Sequence, residues 1–320
     1  MRGVAICHTG PGLHKREISG DPGTRVSVKI LLAVDSSAES DLAVKVVAAR
    51  PWPPNSTVEI LSVIELLYPS DISSLMETLN QRADLAVQAA AQRLQSSGIE
   101  TSTLVLSGNA KAAIVDHAAE MRADLVVVGS HGVTTVRRFL HGSVARAVLR
   151  YATCSVEVVR AETGPGAMKI LLATDGSHCS EIAARSIAER PWPSGTEVRI
   201  LSVAEADHPI LATVDRRHFD TSTIEALQAL REKALKRAQE AVMSAEKIVI
   251  QGGLLASGTA IPSASPKEHI LKEASDWGAN LIVVGSHGER GLTRLLLGSV
   301  SEAVAIHAHC SVEVIRRSST

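Results

Sequence analysis

The sequence predicts an α/β protein of two tandem, doubly wound domains, each a five-stranded parallel sheet flanked by helices. Three observations carry that expectation. The chain has 320 residues, about two ordinary domains' worth. It repeats itself, and within each repeat short apolar runs alternate with segments of helical period. KILLAVDSS (29–37) returns as KILLATDGS (169–177), RPWP (50–53) at 190–193, and VEILSV (58–63) as VRILSV (198–203), all 140 positions later. Further on, VVVGSHG (126–132) matches IVVGSHG (282–288), and CSVEVV and CSVEVI keep the same offset of 156. The second copy therefore carries 16 extra residues, part of them expected in the loop SGTAIPSASPKEH, where the first copy has SGNAKAA.

Each element has a local reason. Residues 29–35 are an apolar run closed by Asp and Ser, a buried strand followed by a helix cap. A helix runs on to Ala49 and stops at Pro51, which cannot continue the hydrogen-bond ladder. Residues 58–63 form a second buried strand. Leu79, Ala83, Ala86, Ala90 and Leu94 recur at helical spacing, and Gly98 ends that helix. A third strand is expected at 103–106, a third helix at 112–121, a fourth strand at 125–128, a fourth helix at 143–151 and a fifth strand at 155–159. Strands apolar on both faces and separated by helices imply a parallel sheet covered on both sides, with right-handed crossovers. The expected units are a flexible N-terminal tail at 1–27, a first domain at 28–160, a Gly- and Pro-containing linker at 161–167, and a second domain at 168–316.

Composition removes several classes of function. Lys plus Arg number 33 against 34 for Asp plus Glu, a net charge of −1, so the basic surplus that neutralises phosphate backbones is missing and no nucleic-acid partner is expected. Aromatics are 2%, too few for stacking bases, and the cores must be built from Val, Ile, Leu and Ala. Four cysteines without CxxC spacing argue against a disulfide scaffold or a zinc site. No apolar run approaches the roughly 20 residues of a membrane span, and the first residues hold too short an apolar run for a secretory signal. The expectation is a soluble, cytoplasmic protein with no membrane partner.

In doubly wound sheets ligands bind beyond the carboxyl ends of the strands, where strand order reverses. Two segments per repeat fall there. One is Asp35-Ser36-Ser37, or Asp175-Gly176-Ser177. The other is G-x2-G-x9-G-S: Gly129, Gly132, Gly142 and Ser143, then Gly285, Gly288, Gly298 and Ser299. Gly142-Ser143 opens a helix whose unpaired N–H groups and positive dipole end favour phosphate. Arg137, Arg138, Arg290 and Arg294 lie inside the loops and could neutralise a polyphosphate. The spacing is kept in two copies whose intervening helices have diverged. Neither GxxxxGK[ST] nor GxGxxG occurs.

The D-x-S-x-x-S start (Asp35, Ser37, Ser40; Asp175, Ser177, Ser180), a second strand ending in LSV, and G-x2-G-x9-G-S together resemble the universal stress protein family, over nearly the whole chain. The resemblance implies a tandem member with a Rossmann-like, adenine nucleotide alpha hydrolase-like fold. It also implies the ATP-binding branch, with ATP or another adenine nucleotide as ligand and Mg2+ or Mn2+ held through the phosphates. By that resemblance Asp35 and Asp175 would touch ribose and adenine, with Ser37 and Ser177 beside them. Val63 and Val203 would offer backbone groups to the adenine edge. The glycines, Ser143 and Ser299, with Val144 and Val300 after them, would hold ribose and phosphates in two occupied sites per chain. Members pair through their last strand, so SVEVV and SVEVI would lie antiparallel in an internal pseudo-dimer; two chains could associate further into a homodimer.

Plainer readings compete with several of these residues. His307-Ala-His309-Cys310 is the one dense histidine cluster, but the first copy reads Tyr151-Ala-Thr153-Cys154 there, which favours ordinary pre-strand sequence over metal. His131 and His287 suit a backbone or phosphate contact better than general-base work. Cys154 and Cys310 read as small core hydrophobes, Trp52 and Trp192 as packing over a helix end, and Ser143 and Ser299 lack a nucleophile elbow. Three functions follow: a nucleotide-dependent stress-response module, a slow ATPase or phosphotransferase, and a nucleotide-free interaction scaffold. The first is favoured by the intact glycine spacing. The second lacks a carboxylate or Gln placed to orient water.

Overall fold

A computed structural model describes residues 27–65, 73–131, 142–162, 166–205, 220–288 and 297–316. The first repeat runs β1 (Lys29–Ala33), α1 (Ala38–Ala49), β2 (Thr57–Ile64), α2 (Ser73–Ser96), β3 (Glu100–Ser107), α3 (Ala110–Glu120), β4 (Leu125–Gly129), α4 (Ser143–Tyr151) and β5 (Ser155–Val159). The second runs β6 (Lys169–Ala173), α5 (His178–Ala188), β7 (Glu197–Glu205), α6 (Thr221–Gln251), β8 (Leu255–Ser263), α7 (Pro266–Trp277), β9 (Leu281–Gly285), α8 (Ser299–His307) and β10 (Ser311–Ile315). The tail expected at 1–27 falls, but for its last residue, outside the described residues.

The two parallel sheets join into one ten-stranded sheet of order β3-β2-β1-β4-β5-β10-β9-β6-β7-β8. Among the described residues only β5 and β10 pair antiparallel, with Glu157 opposite Glu313 and Val158 opposite Val312. Each half reverses strand order between β1 and β4, or β6 and β9. On one face a single apolar cluster crosses the seam, from Val126 and Val156 to Val312 and Ile282. On the other face there are two clusters, one around α1 and α2, one around α5 and α6. Buried charge lies between them.

That charge explains RPWP. Pro ends α1 and α5, and the preceding arginine turns under the sheet. Arg50 grips Glu157 with two hydrogen bonds of 2.7 and 2.8 Å, and Arg190 bonds Glu313 at 2.7 Å. The Arg50 and Glu157 side chains are 3% and 1% exposed. Burial works against the charge on Arg50, but Glu157, its hydrogen bonds and Glu313 beyond it outweigh that, and its pKa is raised. Trp192 lies 5.5 Å from the Arg50 guanidinium and 4.8 Å from that of Arg190, so a second-domain ring contacts a first-domain cation. Each Trp also donates to its own helix end, Trp52 to Val47 O at 2.9 Å and Trp192 to Ile187 O at 2.8 Å.

Elsewhere the repeats build one contact with the carboxylate on opposite sides. Glu59 of β2 meets His117 of α3 at 2.7 Å, whereas Arg199 of β7 meets Glu273 of α7 at 2.6 Å.

The extra residues sit elsewhere than expected. Gly98 and Gly253 follow α2 and α6 with matching φ of 80° and 81° and are 155 apart. Fifteen of the sixteen insertions therefore precede Gly253, and α6 has 31 residues against 24 in α2. SGTAIPS is not loop but part of β8. Its Gly and Pro are tolerated because β8 is an edge strand. A Cβ on Gly258 would lie 2.2 Å from Val242 Cγ1, so glycine there lets α6 lie close on the strand.

Removing one partner from a buried ion pair leaves the other charge uncompensated. Glu157→Ala should lower stability by about 3–5 kcal/mol, read by urea unfolding, and the double change Arg50→Met, Glu157→Leu should cost less than the single one. A single change within ~0.5 kcal/mol of wild type, the level of an ordinary surface site, would show that the seam does not depend on this pair.

Candidate functional site

The D-x-S-x-x-S segment builds a closed turn. Ser37 is the N-cap of α1, its Oγ accepting from Ser40 N at 3.1 Å. Asp35 Oδ1 accepts from Ser37 N at 2.9 Å and from the Ser37 hydroxyl, while Ser40 Oγ accepts from Asp35 N at 3.0 Å. In the second domain Ser177 N donates to Asp175 Oδ1 at 3.0 Å, and Ser180 N to Ser177 Oγ at 3.3 Å. Ser37 is thus occupied as a cap and leaves the opening to Asp35. Where β1 ends, Val34 N donates to Leu61 O at 2.8 Å. Val63, two residues later on the same edge of β2, turns its peptide groups toward the gap beyond β1. Thr174, Leu201 and Val203 repeat the arrangement, with a bond of 2.9 Å.

The ends of each glycine loop are tied by backbone bonds. Ser130 N donates to Val159 O at 3.1 Å and Gly142 N to Ser130 O at 2.8 Å; Ser286 N to Ile315 O and Gly298 N to Ser286 O repeat them at 2.9 and 2.8 Å. A Cβ on Gly129 would stand 2.9 Å from the Glu39 backbone, and one on Gly285 2.8 Å from that of Cys179. One on Gly142 would stand 2.9 Å from Ser130 O, and one on Gly288 2.5 Å from Asp175 Oδ2. Close packing against backbone already requires Gly129, Gly142 and Gly285, whereas the neighbour of Gly288 is a side-chain end that can shift.

The helices after the loops begin differently from most others. Asn109 and Asp220 cap α3 and α6 with side-chain oxygens, as Ser37 and Ser177 cap α1 and α5. Gly142 and Gly298 cap α4 and α8 with no side-chain bond. Among the described residues no side chain caps their first-turn N–H groups, Ser143 among them, and such a helix start suits an anionic acceptor.

In the first domain Asp35, Val63, Gly129, Gly142, Ser143 and Val144 line one cavity of about 300 Å³. Six of the expected residues converge there. The sequence reading missed others on its wall: Glu65, Arg82, Ile114 and Ala145. Glu65 Oε1 accepts from Ala110 N at 2.9 Å. Arg82 carries a signal in the sequence, since RADLAV (82–87) returns as RAQEAV (237–242). In the second domain Asp175, Ser177 and Gly288 line a wider cavity of about 1050 Å³ between the start of α5 and α6. Val203, Gly285, Gly298, Ser299 and Val300 are not on that wall; Val203 and Val300 pack against the shared core. Gly132, Arg137, Arg138, Arg290 and Arg294 lie outside the described residues.

His287 Nδ1 is bonded to Ser286 Oγ at 3.1 Å. Burial, and then the charge of Arg316, lower its pKa, so the ring is neutral near pH 7 and is a poor cation for phosphate. Burial pushes the Cys154 and Cys310 thiols up to about 11; they are core groups. Among the described residues no three His, Cys, Asp or Glu side chains gather to hold a metal, and no helix is long and apolar enough to cross a membrane.

Two outcomes follow from this geometry. Gly129→Ala and Gly285→Ala should each destabilise the ligand-free protein by roughly 1–3 kcal/mol, the usual cost of overpacking, seen as a lower urea midpoint; unchanged midpoints would return these glycines to a purely ligand-facing role. Cys154 and Cys310 should resist iodoacetamide at pH 7 until the protein unfolds, as followed by peptide mass spectrometry.

The universal stress protein family profile matches residues 28–160 and 167–316. A universal stress protein of Mycolicibacterium smegmatis is 28% identical over 302 residues, covering 90% of this chain and 96% of that protein. Another, of Mycobacterium tuberculosis, is 32% identical over 200 residues, covering 61% and 63%. The crystal structure of a universal stress protein from Archaeoglobus fulgidus is similar in fold, with a TM-score of 0.62 at 19% identity, over 91% of this chain and 97% of that one. With two matched segments that together span most of the sequence, the chain belongs to the universal stress protein family.

Proposed function

We propose that this protein is an ATP-binding regulatory module of the stress response, with one adenine-nucleotide site in each domain. The observation that carries the reading is the first-domain cavity, where the uncapped start of α4, the Asp35 carboxylate and the outward peptide groups of Val63 share one wall system. Each suits a different part of the ligand. The free N–H groups and the Ser143 hydroxyl suit phosphate oxygens. Asp35 accepts from ribose hydroxyls. Peptide groups at the edge of a strand supply the paired donor and acceptor that an adenine edge presents. Leu61, Ile114 and Val128 give the base an apolar bed.

The second domain repeats the uncapped helix and the strand-end geometry, which is the basis for assigning it a site as well. With no cluster of metal ligands among the described residues, a Mg2+ or Mn2+ ion would be held by the nucleotide's own phosphates. Occupancy ties the glycine loops to α4 and α8, the helices that meet at the seam. Changed partner or oligomer contacts are the output expected of such a module.

Calorimetric titration with MgATP tests the reading, alongside mass spectrometry of nucleotide released on denaturing fresh protein. Binding at two sites is expected, with a rise in unfolding free energy of about 2.7 kcal/mol at a hundredfold excess over Kd. Absence of heat, of released nucleotide and of stabilisation at millimolar MgATP would remove the nucleotide reading and leave a scaffold.

A further inference from the structure

We propose that Arg82, and Arg237 at the matching place in the second domain, are ligand-contacting cations that make both sites select a polyphosphate-bearing ligand over an uncharged one. The proposal rests on the nucleotide reading for the rest of the ligand, but not for its negative charge. Neither arginine belongs to the glycine loops or to the strand-end turn.

Three observations lead there. Arg82 comes from α2 to the wall of the cavity that also holds Gly142 and Ser143, and Arg237 comes from α6 to the wall that holds Asp175, Ser177 and Gly288. The two occupy one position of the repeat, each 16 residues before the glycine that ends its helix, in R-A-x2-A-V. The alanines and the valine have a packing reason, since Ala83, Val87, Ala238, Ala241 and Val242 are buried. The arginine has none: it is exposed in both domains. Around it the solvent side has drifted, with Gln81, Leu85 and Gln88 in one copy and Lys236, Glu240 and Met243 in the other. Finally, among the described residues neither guanidinium makes a hydrogen bond or an ion pair. A cation kept at one register at the mouth of two cavities, with no partner among the described residues, is placed for a ligand.

The chemistry fits an anion. A guanidinium presents five donors in a plane and binds phosphate oxygens two at a time. With the N-terminal N–H groups of α4 it gives the first cavity two separate sources of positive potential. Asp35 and Glu65 share that wall, but both carboxylates already accept protein hydrogen bonds. In the second cavity Glu240 stands one turn from Arg237, where the first domain has Leu85, so the first site is the more anion-selective of the two.

The test titrates wild type, Arg82→Gln, Arg237→Gln and the double variant with MgATP, adenosine and sodium tripolyphosphate, at low and high salt. Because both side chains are exposed and pair with none of the described residues, the variants should unfold at the wild-type temperature. Arg82→Gln should weaken MgATP and tripolyphosphate at one site by roughly tenfold or more, the loss expected of a charge-assisted contact. Adenosine affinity should stay within twofold, and MgATP binding should become less sensitive to salt. A double variant that binds MgATP as tightly as wild type overturns the proposal, as do equal losses for MgATP and adenosine. Wild type that binds tripolyphosphate but not MgATP sinks the nucleotide reading alone, and the tripolyphosphate titrations then decide the arginines. Wild type that binds none of the three sinks both.

Discussion

The antiparallel joint between β5 and β10 is the constraint on which the rest of the molecule depends. It places two carboxylates, Glu157 and Glu313, directly opposite each other inside the protein. Like charges across a strand pair repel, and each would lose its hydration. The joint is stable only because each half sends an arginine from the end of its first helix to meet its own glutamate. Pro51 and Pro191 release those arginines from the helices at the right place, and Trp192 lies against both. RPWP and SVEV are therefore two ends of one device, some hundred residues apart.

On the opposite face the seam is held by crossed arginines. Arg160, just past β5, donates to Ala305 O of α8, and Arg316, just past β10, donates to Leu149 O of α4. Arg146 of α4 and Glu302 of α8 add a contact of 3.5 Å. A cation at a helix C-terminus complements the dipole there, and the same helices start at Gly142 and Gly298. The two helices whose free N–H groups mark the candidate sites are thus bound to each other's domains. Both helices pack on one continuous apolar core.

The glycine spacing has two causes that the sequence could not separate. Gly129 and Gly285 make room for the start of α1 and α5, and Gly142 makes room for Ser130 O. Such packing would keep the glycines in a protein with no ligand at all. A ligand site is marked by features of a different kind: helices that start without a side-chain cap, strand-edge peptide groups turned toward a gap, and a cavity where they meet.

Much of this was legible without coordinates. The 140 and 156 offsets, the alternation of apolar runs with helical spacing, and the Asp35 and Gly142–Ser143 segments are local patterns, and local patterns follow from backbone geometry and side-chain burial within a few residues. β3 and β8 were harder: as edge strands bury only part of one face, they carry polar or Gly- and Pro-containing sequence, and β8 read as a loop. Arg82 is not legible as a site residue, because a lone arginine on a helix means nothing until the helix is placed beside the strand ends. The chain's own order of residues determined two doubly wound domains and the segments at their strand ends. Only the tertiary structure decided that Arg50 answers Glu157, that α6 takes most of the insertion with the segment before it, and that Asp35, Val63 and Ser143 share one cavity, because those contacts join residues far apart in the chain and depend on strand order and register.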